Sequence, residues 1–265
     1  MSKLTTSEIA DFHEQGFVIP EYCLPGTLVA SLRQALDELM AQNPQVRPEK
    51  LVSAHIKNGN EGVNGVELFH EITRDPGILD IVEQLIGPDI IMWGCQVFCK
   101  PAGDGMFVPW HQDGQYWPIR PLATCTVWIA IDDSKIENAC LRVIPGSHKE
   151  KKLFKHRSSD RDDIVLDQEV DPGEFDESQA VDVELEAGQM SLHDVYMIHG
   201  SNANQSTKRR AGLAIRYMPA SSHFDREIFQ AGESSAKTYK TDFSTRPIWL
   251  MRGVDACGKN EFTPS

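Results

Sequence analysis

The chain has 265 residues, 40 % of them apolar and 25 % charged, with a formal net charge of −13. That length and apolar content suit one large soluble domain with a substantial core, and the acidic balance argues against nucleic acid, which needs a basic footprint. No apolar run approaches the ~20 residues of a membrane span, and the opening MSKLTTSEIADFHEQG lacks the apolar core of a signal peptide.

From the N-terminus, Thr5 to Glu8 reads as a capping box and Gly16 closes the short helix that follows. Leu28, Leu32, Leu36 and Leu39 mark one stripe of a second helix from about Gly26 to Gln42. A third helix runs from Pro76, at its first turn, to about Ile86, with Gly87-Pro88 as the stop. The texture then changes to short β-branched or aromatic runs: DIIMWGCQVFC, ATCTVWIAID, ACLRVIP, AVDVELE, QMSLHDVYMIHG and RAGLAIRYMP. Separated by Gly, Pro, Asn and Asp, they suggest a sandwich, jelly roll or barrel. The polar stretch from Lys149 to Gln179 reads as a surface loop. The expected layout is a single domain spanning residues 1–265, with a helical N-terminal region over residues 1–88, a β-core of about 89–218 and a C-terminal tail over 219–265. Cys23, Cys95, Cys99, Cys125, Cys140 and Cys257 are scattered without a C-x-x-C pair, so free thiols in a reducing cytoplasm are expected. Cys95 and Cys99 read as core residues of one strand.

The chemistry-bearing stretch is WHQDGQYW, residues 110–117. In extended backbone, residues i and i+2 face the same way, so His111 and Asp113 would present two ligand groups to one point. A polar turn after Pro109 is the bland alternative. Two ligands do not hold a catalytic metal, whereas a 2-His-1-carboxylate triad holds Fe(II) and leaves positions open. Downstream, His148, His156, His193 and His199 are candidates. His148 lies in the turn PGSHK and His156 in the charged loop, where both are expected in solvent. His199 is preferred over His193 because Gly200-Ser201 and then a strand carrying Arg210 follow it. An arginine fork there can bind a carboxylate bidentately.

The segments HQDGQYWPIRP, VWIAIDD…ENACLRVIPGSHK, IHGSNANQSTKRR and LTTSEIADFHEQGFVI resemble the phytanoyl-CoA dioxygenase family of Fe(II)- and 2-oxoglutarate-dependent oxygenases. The resemblance runs from about Leu4 to Tyr217. It implies a mainly β fold with flanking helices, a double-stranded β-helix of the jelly-roll, cupin-like kind with iron at one end. It places the metal on His111, Asp113 and His199. It also places the far carboxylate of 2-oxoglutarate on Arg210, eleven residues beyond the distal histidine, with help from Ser201. Trp128 is the match for a tryptophan lining the cosubstrate pocket, and Lys57 for an upstream lysine. O2 is the second cosubstrate, and succinate and CO2 are the expected products. With Asp113 present, hydroxylation is expected rather than halogenation, in which related enzymes replace the carboxylate by a small residue.

Several further residues are expected at the site. Gln96 on the first core strand reaches cosubstrate or substrate, and Gln112 alternates away from the metal. Trp117 walls the metal site and touches substrate. His193 lines the substrate pocket rather than binding metal. On RRAGLAIRY, Arg210, Gly212, Ala214 and Arg216 alternate onto one face, and an inward Arg216 would need a second anion. The expected substrate is a small polar or anionic metabolite. An acyl thioester or a natural-product intermediate is the alternative. A cupin-like metalloenzyme, or a binding protein without 2-oxoglutarate, is the rival of another class. Neither membrane nor nucleic-acid partners are expected, and oligomeric state is not legible.

Overall fold

The computed structural model describes residues 3–57, 63–159, 161–228 and 243–263. Its helices are α1 (Thr6–Gln15), α2 (Gly26–Gln42), α3 (Leu68–Glu71) and α4 (Pro76–Ile86). α1 starts at the expected capping box: Glu8 N donates to Thr5 Oγ1 at 3.2 Å and Thr5 N to Glu8 Oε2 at 2.7 Å. α2 buries Val29, Leu32, Ala35, Leu36 and Leu39. α4 begins with Asp75 accepting from Ile78 N at 3.0 Å and buries Ile78, Leu79, Ile81 and Val82. None of the described helices is long and apolar enough to cross a membrane.

The strands are β1 (Phe17–Val18), β2 (Leu51–Val52), β3 (Ile90–Lys100), β4 (Val108–His111), β5 (Ile119–Arg120), β6 (Cys125–Ala130), β7 (Leu141–Val143) and β8 (His156–Ser158). They continue with β9 (Gln168–Val170), β10 (Val181–Val183), β11 (Met190–Asp194), β12 (His199–Ser201), β13 (Arg210–Pro219), β14 (His223–Phe224) and β15 (Trp249–Arg252). A major antiparallel sheet runs β1-β11-β6-β13-β3-β15, with β2 also paired to β3, and faces a minor sheet β10-β7-β12-β4. Two antiparallel sheets wrapped into one barrel make a jelly roll.

The major sheet has two faces of opposite character because side chains alternate along each strand. On β13, Leu213, Ile215 and Tyr217 pack with α2 and α4 in one core, joined by Cys95, Val97 and Cys99 of β3. The alternate residues Arg210, Ala214 and Arg216, with Gln96, Phe98 and Lys100 of β3, line a cavity between the sheets. The helices therefore cover one face and leave the other for chemistry.

Three expectations need correction. The stretch Lys149–Gln179 is not merely a surface loop: it folds into the β8–β9 hairpin, buries Val165 and Val170, and lends Leu166 and Gln168 to the cavity. The N-terminal and C-terminal regions are not only helix and tail, since β1, β2 and β15 join the major sheet. His148 is buried against α1, where its Nε2 meets His13 O at 3.0 Å, and half-buried His156 sits 3.3 Å from Gln112 N.

Gly16 connects the helical layer to the barrel. It adopts φ 85°, and its carbonyl accepts from Asp194 N at 3.0 Å at the end of β11. A Cβ there would stand 2.4 Å from both His148 Nδ1 and Met197 Cε. Positive φ strains an alanine by ~1–2 kcal/mol before any clash is counted. Gly16→Ala should therefore cost about 2 kcal/mol, a fall in Tm of roughly 4–8 °C. Thermal unfolding by circular dichroism checks this, and an unchanged Tm would contradict the clamp.

Candidate active site

β4 and β12 are antiparallel neighbours, and their register sets His111 directly opposite His199. The two rings lie 4.1 Å apart between centroids, at 52°. Each is oriented in the same manner: His111 Nδ1 meets Pro109 O at 2.8 Å, and His199 Nδ1 meets Met197 O at 3.0 Å. A ring whose Nδ1–H donates to a carbonyl keeps Nε2 as its lone-pair atom. After His111 the chain passes through extended Gln112 into a single turn at Asp113–Gln115. His111 Nε2 and Asp113 Oδ1 then lie 3.6 Å apart.

His111, Asp113 and His199 are all buried, and their ligand atoms lie within 4.8 Å of one another. Burial opposes ionisation of Asp113, yet His111, His193, His199 and Arg216 outweigh it and hold the carboxyl well below its usual range. Burial, reinforced by His111, pushes His199 well below the ordinary imidazole value. A neutral imidazole at His199 and a carboxylate at Asp113 are protonation states that a divalent metal requires. The donor set fits Fe(II), which this 2-His-1-carboxylate chemistry suits. Gln112, pointing away, donates to Tyr196 O at 2.7 Å and Lys152 O at 3.0 Å, and accepts from Phe154 N at 2.7 Å. It fastens the segment around Lys152 and Phe154 to the turn that carries Asp113.

Arg210 stands at one end of the cavity, 3 % exposed. Its Nε donates to Ala139 O at 3.1 Å and its Nη2 to Ser201 Oγ at 3.3 Å. Its guanidinium lies 5.4 Å above the Trp128 ring. No acidic side chain among the described residues pairs with it, and burial pushes its pKa down to about 10. Lys100, its register partner on β3, is also buried and donates to the carbonyls of Asn202 and Ser201. Burial, with Arg210 adjacent, pushes Lys100 down to about 6. Arg210, a desolvated cation with no carboxylate partner among the described residues, forms a site for an anion, and Lys100, whose charge burial disfavours, adds N–H donors beside it. Arg209, by contrast, is engaged by Asp132 and Asp37.

The cavity, about 170 Å³, also receives Gln96, Trp117, His193 and Arg216. His193 Nε2 is 3.7 Å from Asp113 Oδ2, its ring is 4.7 Å from that of His199, and neither ring nitrogen has a hydrogen-bond partner. β11 ends at Asp194, which accepts from Tyr196 N at 2.8 Å in the turn that follows, so His193 and His199 reach the cavity from different sheets. Gln96 Oε1 accepts from Arg216 Nη2 at 3.2 Å, which places it away from the Arg210 end.

Lys57 is a correction. It lies outside the cavity with its side chain 66 % exposed, paired with Glu67 at 2.9 Å. The lysine beside Arg210 is Lys100. The signal was present: Lys100 follows Gln96 by four residues on one strand and so shares its face. Arg246, which also lines the cavity, gave no such signal, because only the return of the tail onto β3 brings it there.

A jelly roll carrying two histidines and a carboxylate around one point, with a buried arginine on the facing sheet that has no acidic partner among the described residues, defines a non-heme iron oxygenase site. The family model "Phytanoyl-CoA dioxygenase (PhyH)" matches residues 12–212. The phytanoyl-CoA dioxygenase of Arabidopsis thaliana is 32 % identical over 252 residues, covering 80 % of this chain and 88 % of that one. A probable phytanoyl-CoA dioxygenase of Caenorhabditis elegans is 25 % identical over 238 residues, covering 82 % and 76 %. Among solved structures, the non-heme monooxygenase ThoJ superposes with a TM-score of 0.72 at 26 % identity, covering 97 % of this chain and 88 % of that one. The chain belongs to the phytanoyl-CoA dioxygenase family. It is an enzyme, a dioxygenase of the class that uses iron and 2-oxoglutarate.

Gly212 makes room for the Arg210 end. A Cβ there would lie 2.0 Å from Trp128 Cζ2 and within 2.5 Å of two further ring atoms. Gly212→Ala must displace the ring on which Arg210 rests. Misplacing a binding group by ~1 Å can cost up to a hundredfold, so 2-oxoglutarate affinity should fall roughly ten-fold or more, with the protein still folded. Isothermal titration of the variant checks this, and unchanged affinity would show that Trp128 does not set Arg210.

Proposed function

We propose that this enzyme hydroxylates a C–H bond of a small polar or anionic metabolite, with Fe(II) held by His111, Asp113 and His199. When bound, the iron with 2-oxoglutarate and O2 supplies the oxidising chemistry, releasing succinate and CO2. The observation carrying this reading is the convergence of the three ligand atoms in one cavity with the buried guanidinium of Arg210 and its neighbour Lys100.

The chain's own residues do the positioning. Pro109 O and Met197 O hold the imidazoles so that Nε2 of each faces the metal point. Arg210, steadied by Trp128 and Ser201, receives the far carboxylate of 2-oxoglutarate, and Lys100 adds a second donor. Trp117 forms the opposite wall, against Trp93 at 4.4 Å between ring centroids, and excludes water from the reacting carbon. His193 contacts Asp113 and the substrate side, and we assign it no metal bond. A cavity of about 170 Å³ is below the ~300–1,000 Å³ of drug-sized pockets, which favours a small metabolite over a long acyl chain. Helices and barrel share one core, which supports one catalytic domain. Six free cysteines support a reducing, cytoplasmic setting.

The test is succinate release from 2-oxoglutarate with added Fe(II). Wild-type protein should release succinate only when iron is present, and His111→Ala should fall to the iron-free background with circular dichroism retained. Wild-type rates in His111→Ala would remove His111 from the metal site.

A further inference from the structure

His193 is buried in the active site, 2 % exposed, yet it stands outside the metal set of His111, Asp113 and His199. Its ring is held differently from the two histidines beside it. His111 Nδ1 meets Pro109 O and His199 Nδ1 meets Met197 O, so each presents Nε2 as a lone pair. Neither ring nitrogen of His193 has a hydrogen-bond partner. Burying a polar ring without a partner is costly, and packing alone does not account for a histidine there.

The backbone fixes where this ring stands. β11 lies between β1 and β6, and its register sets His193 beside Phe17 and Thr126. The next residue, Asp194, donates its N–H to Gly16 O at 3.0 Å. His193 therefore projects from the major sheet. His111 and His199 project from the minor sheet, and Asp113 from the turn that follows β4.

The Asp113 carboxylate divides its two oxygens between these layers. Oδ1 is 3.6 Å from His111 Nε2, and Oδ2 is 3.7 Å from His193 Nε2. At 3.7 Å the second contact is longer than a hydrogen bond. It is an attraction between an N–H dipole and a negative charge, which buried surroundings strengthen. Attraction requires the hydrogen on Nε2, and no partner at Nδ1 opposes that tautomer. His193 is also among the groups that hold Asp113 ionised. A carboxylate can turn about its own axis, and an N–H facing Oδ2 favours the orientation in which Oδ1 stays with His111.

We propose that His193 is a positioning residue for Asp113: its Nε2–H holds Oδ2 and thereby presents Oδ1 to the metal. Giving the metal one carboxylate oxygen instead of two keeps the open positions on which this ligand set depends. The inference rests on the metal-site reading above and concerns how tightly the site holds its ion.

The experiment titrates metal-free full-length protein with Co(II), a neighbour of Fe(II) in ligand preference, by isothermal calorimetry. Wild-type protein should bind one ion per chain. Residues that orient a metal ligand typically contribute ten- to a hundred-fold in affinity. His193→Leu keeps bulk but lacks an N–H, so it should weaken Co(II) binding by roughly ten-fold or more, with the stoichiometry at saturation unchanged. The amide nitrogen of glutamine stands about where Nε2 of histidine stands, and that of asparagine about where Nδ1 stands. His193→Gln should therefore recover most of the affinity, and His193→Asn should not. A purely structural role would make the glutamine and leucine variants alike. Two outcomes overturn the proposal: His193→Leu binding Co(II) as tightly as wild type, or His193→Gln binding no more tightly than His193→Leu. His193→Asn takes the place of His193→Leu in both comparisons if the leucine variant does not fold. Wild-type protein that bound no Co(II) would instead overturn the metal-site reading, and this inference with it.

Discussion

The register between β4 and β12 is the constraint on which the rest of the structure depends. It sets His111 opposite His199, and each ring is then fixed by the carbonyl two residues before it. Because side chains alternate with a period of two, slipping this pair by one residue would turn one histidine out of the cavity. Much of the surrounding structure steadies that register. Gln112 ties the turn after His111 to the covering segment. Gly16 lets α1 end against β11, close to Met197, whose carbonyl orients His199.

The second organising feature is charge. A chain with a formal net charge of −13 gathers four basic side chains, counted among the described residues, around a cavity of about 170 Å³. Each buried guanidinium or ammonium costs several kcal/mol unless something compensates it. Carbonyls, ring faces and Ser201 compensate partly, as the lowered values of Arg210 and Lys100 show. At Arg210 the balance is left for an anionic ligand. The acidic exterior does not contradict an appetite for anions, since the cavity is lined by a different set of residues.

Much of this was legible in the sequence, for identifiable reasons. The helix from Gly26 to Gln42 is legible from its leucine stripe and that from Pro76 to Ile86 from its start and stop residues, and the structure has both at those bounds. The face shared by Arg210, Gly212, Ala214 and Arg216 follows from alternation on an unbroken strand, because the irregularity in β13 falls after Arg216. What was not legible depends on contacts between distant segments. Lys57 and Lys100 could not be ranked until the strand pairing put Lys100 beside Arg210. The stretch Lys149–Gln179 reads as polar loop, yet a few apolar residues such as Val165 and Val170 suffice to pin it over the cavity. Arg246 enters the cavity only because β15 pairs with β3. His148 is buried by α1, which lies far from it in sequence.

The central claim is that His199, and not His193, completes the metal set with His111 and Asp113. The two rings are only 4.7 Å apart, and both lie beside Asp113, so composition alone cannot separate them. Anaerobic equilibrium dialysis against Fe(II), with iron counted per chain, separates them directly. Wild-type protein and His193→Ala should each retain about one equivalent, and His199→Ala should retain almost none, as expected for loss of a ligand from a three-residue set. Iron lost from His193→Ala and kept by His199→Ala would contradict the account.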